Sequence, residues 1–250
     1  MDNRWRTWDE DLAYGQVLYK RAVGELPEME SGKAAARVLK DLVRDGDHVL
    51  DVGCGAGHYL RSLRNTLSCE FFYTGADATA NYVELAQKAF AGEKGVQFRR
   101  ADAFHLPFEE SSFDIAMANN LFLHLPSIQK PLAELIRVAK KYVVVRTLIG
   151  SRSFRILDVE GSGDEFDETG EPKRFHYYNI YSRAYLEHLL SKNKGVKNFQ
   201  FVEDWAYDPE KIQLASSEQK DAYDVTKMLG KWQVNGYILQ PWTFVKIEMA

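Results

Sequence analysis

Cysteine is nearly missing from this sequence: 250 residues contain two, Cys54 and Cys69, and no CxxC pair. Neither a disulfide framework nor a structural zinc site is therefore indicated, and a reducing cytoplasm is the expected compartment. Long apolar runs are missing as well. No stretch approaches the roughly 18 uninterrupted apolar residues of a membrane-spanning helix. The opening MDNRWRTWDEDL is charged and aromatic, unlike the apolar centre of a secretion signal. Net charge is small, at −4, whereas proteins that live on nucleic acid usually carry a basic face to neutralise phosphates. The pairs Arg99-Arg100 and Lys140-Lys141 are too short to make one, so a nucleic-acid partner is not expected. The histidines at 48, 58, 105, 124, 176 and 188 show no HxxxH or HExxH spacing, and no metal is expected. There is no internal repeat.

What remains is an ordinary soluble balance, 45% apolar and 27% charged, enough to bury a core. From residue 32 to 149 helical and strand patterns alternate, the mark of parallel βαβ construction. Helices are expected over 32–44, 57–65, 79–90 (Thr79 as its cap) and 128–139, the last with Pro131 in its first turn. Strands are expected over 48–52, 71–77, 96–101, 113–118 and 142–149. Residues 150–179 have no clear period and include an acidic stretch at 157–171. A helix over 182–190, strands over 201–207 and 237–247, and a helix over 218–229 complete the chain. The expected organisation is one domain, 1–250. It comprises an N-terminal segment 1–31, a ligand-binding core 32–149, an insert or cap 150–181, and a C-terminal part 182–250 with a further insert near 208–236.

The informative stretch is Val49-Leu50-Asp51-Val52-Gly53-Cys54-Gly55-Ala56-Gly57. A strand enters a glycine turn, where the backbone bends sharply and a ligand sits close, and a helix leaves it. The dinucleotide pattern G-x-G-x-x-G would need glycine at 58, which is His58. Asp51, two residues before the first glycine, would repel a pyrophosphate but welcome an ammonium or sulfonium. Asp77 ends the second strand, 24 residues after Gly53, placed to accept hydrogen bonds from two ribose hydroxyls. Asp102, in RRADAFHLPF, is placed to accept from an adenine amino group. Ala118-Asn119-Asn120-Leu121-Phe122-Leu123-His124 follows the fourth strand at the sheet edge where ligands collect.

DVGCGAG, GAD, ADAFHLPF and FDIAMANNLFLHL, in that order and spacing, resemble the class I SAM-dependent methyltransferases over residues 32–149. The resemblance implies an α/β doubly wound Rossmann-like sheet of seven strands, order 3-2-1-4-5-7-6, the last strand antiparallel and helices on both faces. It implies S-adenosyl-L-methionine as cofactor, with Gly53, Gly55 and Gly57 along the methionine and ribose. Asp51 would hold the amino group, Asp77 with Ala78 the ribose, Asp102 with Ala103 the adenine, and Asn119 the methionine end. Cys54, in the same turn, is counted with the cofactor-binding residues, its thiol a small filler rather than a nucleophile, since no base or positive field is specified beside it.

In-line methyl transfer needs a held nucleophile and excluded water, which explains a legible cofactor half beside an illegible catalytic one. His124, His176 and Tyr177 are the candidates near the transfer edge; packing is the plainer reading of His124. Asn119-Asn120-Leu121-Phe122 lacks the two prolines of the Asp/Asn-Pro-Pro-aromatic pattern that enzymes resembling this one carry when they methylate amide or base nitrogens. The aromatic second half suggests a small-molecule acceptor, methylated on O or N. Trp5, Trp8 and Tyr14 form either a lid over the cofactor or packing outside the sheet. Rival readings are a SAM-binding module without chemistry, a methyltransferase acting on RNA or protein, and a dinucleotide oxidoreductase, the last disfavoured by Asp51 and His58.

Overall fold

The alternating pattern builds a parallel sheet flanked by helices. The structure, a computed structural model, describes residues 4–9, 11–159, 165–204 and 242–250, and the backbone of three short strands at 226–229, 232–235 and 238–240. After a first helix α1 (Leu12–Val23) come α2 (Glu30–Lys40), β1 (His48–Val52), α3 (His58–Thr66), β2 (Phe72–Asp77), α4 (Ala80–Ala89), β3 (Val96–Arg100) and β4 (Phe113–Asn119). The main sheet is completed by α5 (Gln129–Val138), β5 (Ala139–Gly150), α6 (Arg183–Ser191), β6 (Val196–Glu203) and β7 (Trp242–Met249). The sheet runs β3-β2-β1-β4-β5-β7-β6, with β7 antiparallel to both neighbours, which is the expected order. No helix among the described residues is long and apolar enough to cross a membrane.

Strand periodicity sends neighbouring residues to opposite faces, and the two cores follow it. Val49, Ile115, Met117, Val144 and Phe244 face α2, α3 and α4, whose Ala35, Leu39, Leu60 and Ala86 are fully buried. Leu50, Val52, Ala116, Val143 and Val245 face the other way, onto Leu132, Leu135 and Leu190 of α5 and α6. Gly75 of β2 lies opposite Asp51 of β1. A Cβ there would come 2.4 Å from the Phe98 ring, so the missing side chain makes the room that Phe98 fills.

The C-terminal part departs from expectation. The strand expected at 201–207 is Val196–Glu203, five residues earlier; its alternation is weak because polar residues interrupt both faces. Of the strand expected at 237–247, the structure has Ile238–Gln240 in a separate three-stranded sheet and Trp242–Met249 in the main one. Of the helix expected at 218–229, the last four residues form a strand, Thr226–Leu229, paired with its neighbour, and 218–225 lie outside the described residues, as do 205–217. In the insert, Leu157–Asp158 and His176–Tyr177 pair antiparallel, and Tyr181–Ser182 adds to the end of β5.

One charged pair is buried where β4, β5 and β7 meet. Arg146 of β5 lies between Asn119 and Phe244 in register. Its Nε and Nη2 donate to Asp204 at 3.0 and 2.8 Å, and both side chains are 1% exposed. Its guanidinium also lies 4.1 Å from the Trp242 ring centroid. Removing one partner of such a pair strands a charge in low dielectric. Asp204→Ala is expected to lose about 3–5 kcal/mol of stability, read as a lowered urea midpoint at unchanged slope.

Candidate active site

The glycine turn after β1 holds φ of +78° at Gly53, +54° at Gly55 and +81° at Gly57, a region that side chains with a Cβ enter only under strain. Its amides point inward. Gly53 and Cys54 both donate to the Ala76 carbonyl, at 2.7 and 3.2 Å. Gly55 donates to Asp77 Oδ2 at 2.8 Å, and Thr79 N–H donates to Asp77 Oδ1 at 2.9 Å. A pyrophosphate is normally cradled by such amides; here three consecutive ones are committed to the end of β2. Burial raises the Asp77 carboxyl above its ordinary value, against the two backbone bonds. Each of its oxygens keeps a further lone pair for a ligand hydroxyl.

A cavity of about 500 Å³ opens at this edge of the sheet, within the range of small-molecule sites. Gly53, Gly55, Asp77, Ala78, Asp102, Ala103 and Asn119, all expected at a cofactor, line it together, as do His124 and His176. Four expected residues do not. Asp51 is 1% exposed and turns to the helix face beneath the turn, where it accepts the Tyr73 hydroxyl at 2.6 Å. Gly57 makes room for protein rather than ligand, since a Cβ there would lie 2.8–2.9 Å from Phe90 and Phe98. Cys54 is fully buried, and burial first, then Asp77 and Asp51, push its thiol well above the usual range. Tyr177 offers its backbone carbonyl to His124, and Tyr178 takes the place in the wall. Thr79 stands at the helix start without a side-chain capping bond; its hydroxyl instead donates to Asp9 at 3.1 Å.

Asn119, at the end of β4, is 5% exposed, yet neither its amide oxygen nor its nitrogen has a hydrogen-bond partner. Buried amides are rarely left so, and this one borders the cavity. A polar ligand group beside it would complete both bonds. The carboxylates of Asp9, Asp11, Asp77, Asp102 and Asp158 also border the cavity, against the guanidiniums of Arg6 and Arg146, which are already paired. That balance suits a sulfonium and an ammonium better than a phosphate.

The N-terminal segment forms a strap over this cavity. Arg6 donates to Asp102 Oδ2 at 2.5 Å, and Thr7 Oγ1 is 2.7 Å from His176 Nδ1. Trp8 sits with ring centroids 5.0 Å from both His124 and His176. Trp5, Trp8 and Tyr14 all line the cavity, the lid position rather than the outside of the sheet. Sequence reasoning missed Arg6, Asp9, His58, Arg146 and Trp242 as lining residues. One signal was available: an arginine inside the β-branched run YVVVRTLI must be buried with a partner. His58 is held down to about 3 by burial and then by Arg21, so it is neutral.

Residues 50–145 match the methyltransferase domain family. The demethylmenaquinone methyltransferase of Staphylococcus aureus is 34% identical over 105 residues, covering 42% of this chain and 44% of that protein. The chain thus spans less than half the length of this curated relative. Two solved structures share the fold. A SAM-dependent methyltransferase from Thermotoga maritima superposes with a TM-score of 0.54 at 18% identity, covering 98% of this chain and 99% of its own. The geranyl diphosphate C-methyltransferase of Streptomyces coelicolor A3(2), in complex with S-adenosyl-L-homocysteine, reaches 0.57 at 14% identity, covering 87% and 77%.

Asp51 gives the turn a pH signature. Burial, with the nearby Asp77 charge, raises it from 3.8 to about 7, opposed by the Tyr73 hydrogen bond. Between those values the folded chain keeps a proton that the unfolded chain has released, so stability falls as pH rises across the window and levels off above it. Asp51→Asn should flatten that slope, by on the order of 4 kcal/mol in total. Urea midpoints of both proteins from about pH 4.5 to 7.5 measure it.

Proposed function

We propose that the chain is a class I SAM-dependent methyltransferase, a reading supported by the match of residues 50–145 to the methyltransferase domain family, and that it transfers the methyl group of S-adenosyl-L-methionine to an oxygen or nitrogen of a small-molecule acceptor. The observation that carries this reading is the single cavity that joins the Gly53–Gly55 turn, Asp77 and the unpartnered amide of Asn119. Asp77 would hold the ribose hydroxyls, Gly53 and Gly55 would let the ligand lie against the backbone, and Ala78, Asp102 and Ala103 would flank the adenine. Asp102 already accepts from Arg6 and from Phe104 N–H, so its contact with an adenine amino group would be shared with the strap. Asn119 would orient the methionine end.

The cofactor supplies an activated methyl on sulfur with a neutral thioether as leaving group. The chain must hold the acceptor in line and keep water out. Trp5 and Trp8 of the strap line the cavity and present aromatic surface to what enters it. The curated relative named above acts, by its name, on a demethylmenaquinone, which favours a small acceptor over RNA or protein. A cytoplasmic setting fits the two free thiols.

Calorimetric binding of S-adenosylmethionine and S-adenosylhomocysteine tests the reading. Wild type should bind both, and Asp77→Ala should lose about 1.5–3 kcal/mol through the missing charge-assisted bonds. A folded wild type that binds neither would refute the assignment.

A further inference from the structure

Resting on that reading, we propose that His124 is the catalytic base and that the acceptor it serves is a hydroxyl on a planar aromatic ring. His124 lies in the short helical turn Phe122–His124 that follows β4, on the cavity wall beside Asn119. Its Nδ1 is 3.0 Å from the Tyr177 carbonyl oxygen. A carbonyl can only accept, so Nδ1 carries the proton and Nε2 presents a bare lone pair. Nε2 has no hydrogen-bond partner among the described residues, and it is not among the sealed atoms that include His58 Nδ1. His124 is among the residues that line the cavity.

Two aromatic rings flank this nitrogen's ring and set the shape of what it meets. Trp8 of the strap approaches edge-on at 5.0 Å and Tyr178 of the insert at 6.2 Å. Both rings also line the cavity, so an acceptor beside this imidazole meets aromatic surface, which favours an aromatic ring in offset or edge-to-face contact. The imidazole is also fixed against rotation by the Tyr177 bond, which is the orienting role a base requires.

The chemistry selects the acceptor. As the hydroxyl oxygen forms its bond to the methyl carbon, the carbon–sulfur bond breaks with its electron pair going to sulfur. The hydroxyl proton passes to His124 Nε2 and later to water. Burial, then the neighbouring His176, hold the His124 imidazolium down to about 4, opposed by the Tyr177 bond. The titratable groups facing it are His176 and Tyr178 of the insert, while Trp8 and the Tyr177 carbonyl are neutral. A base this weak stays unprotonated at neutral pH. It does not take a proton from an alkylammonium, whose pKa is about 10, but a hydroxyl that is being alkylated becomes so strong an acid that even this base accepts its proton. The same neutral imidazole would leave an amine acceptor unserved.

The probes are catechol and phenol, added to protein saturated with S-adenosylhomocysteine. In ¹⁵N-histidine NMR spectra His124 is expected as the Nδ1–H tautomer from about pH 5 to 8, with its Nε2 resonance moving upfield as catechol saturates. In methyl transfer from ¹³C-methyl-labelled donor to catechol, His124→Gln should lose about 10²–10⁴-fold in kcat with S-adenosylhomocysteine affinity unchanged. His124→Gly should regain rate with added imidazole. An Nε2 resonance unmoved by saturating catechol, or a His124→Gln kcat within about threefold of wild type where 10²-fold is expected, overturns the base assignment alone. Failure of wild type to bind S-adenosylhomocysteine overturns this inference together with the reading beneath it.

Discussion

The bond from the Gly55 amide to the Asp77 carboxylate, 2.8 Å long, is the constraint on which the rest of the site depends. It ties the turn leaving β1 to the last residue of β2, and so fixes the loop by the same carboxylate that borders the cavity. A side chain at Gly55 would meet Leu18 of α1 at 2.8 Å, so the helix that leads in from the strap packs directly on the turn. The Phe98 ring underlies the whole, filling space that Gly57 and Gly75 leave open. Ligand loop, sheet register and N-terminal helix are thus packed against one another, and a change at one is felt at the others.

Much of this was legible in the sequence because local chemistry and global fold agree in the first hundred and fifty residues. His48–Val52 runs as one strand because its apolar positions are buried on both faces, and the glycines that follow demand the left-handed backbone they adopt. The gathering of Asp77, Asp102 and Asn119 at one cavity follows from parallel topology: consecutive parallel strands deliver their C-terminal ends to one edge. What was not legible lies where spacing carries no direction. Asp51 has the right distance along the chain, but strand alternation turns its side chain to the face of Tyr73 rather than to the cavity. Gly57 likewise reads as part of a ligand loop and serves two phenylalanine rings. The α1 helix went unread and the strap was left between two readings because their partners, Tyr82, Asp102 and His176, are distant in sequence.

The rest of the cavity differs in kind. Its walls come from the strap, the turn after β4, the insert and the start of β7, four segments with no common pattern. His124 shows why a lone histidine is hard to weigh: in LFLHLP it reads as packing. Only the Tyr177 carbonyl, contributed from 53 residues away, fixes which of its nitrogens is free. Arg146 belongs to the same region and buttresses it through Asn120, whose left-handed backbone (φ +56°) is held by bonds in both directions with Arg146.

The strap touches Asp102 at one end and His176 at the other, and those two residues belong to different halves of the cavity. Thermodynamically, such a segment is shared currency between two ligands. Whatever orders residues 4–9 from the Asp102 side has already met the conformational entropy that a ligand on the His176 side would otherwise have to oppose. By linkage any such effect is reciprocal, so a ligand that orders the strap at one end of the cavity would favour a second ligand at the other.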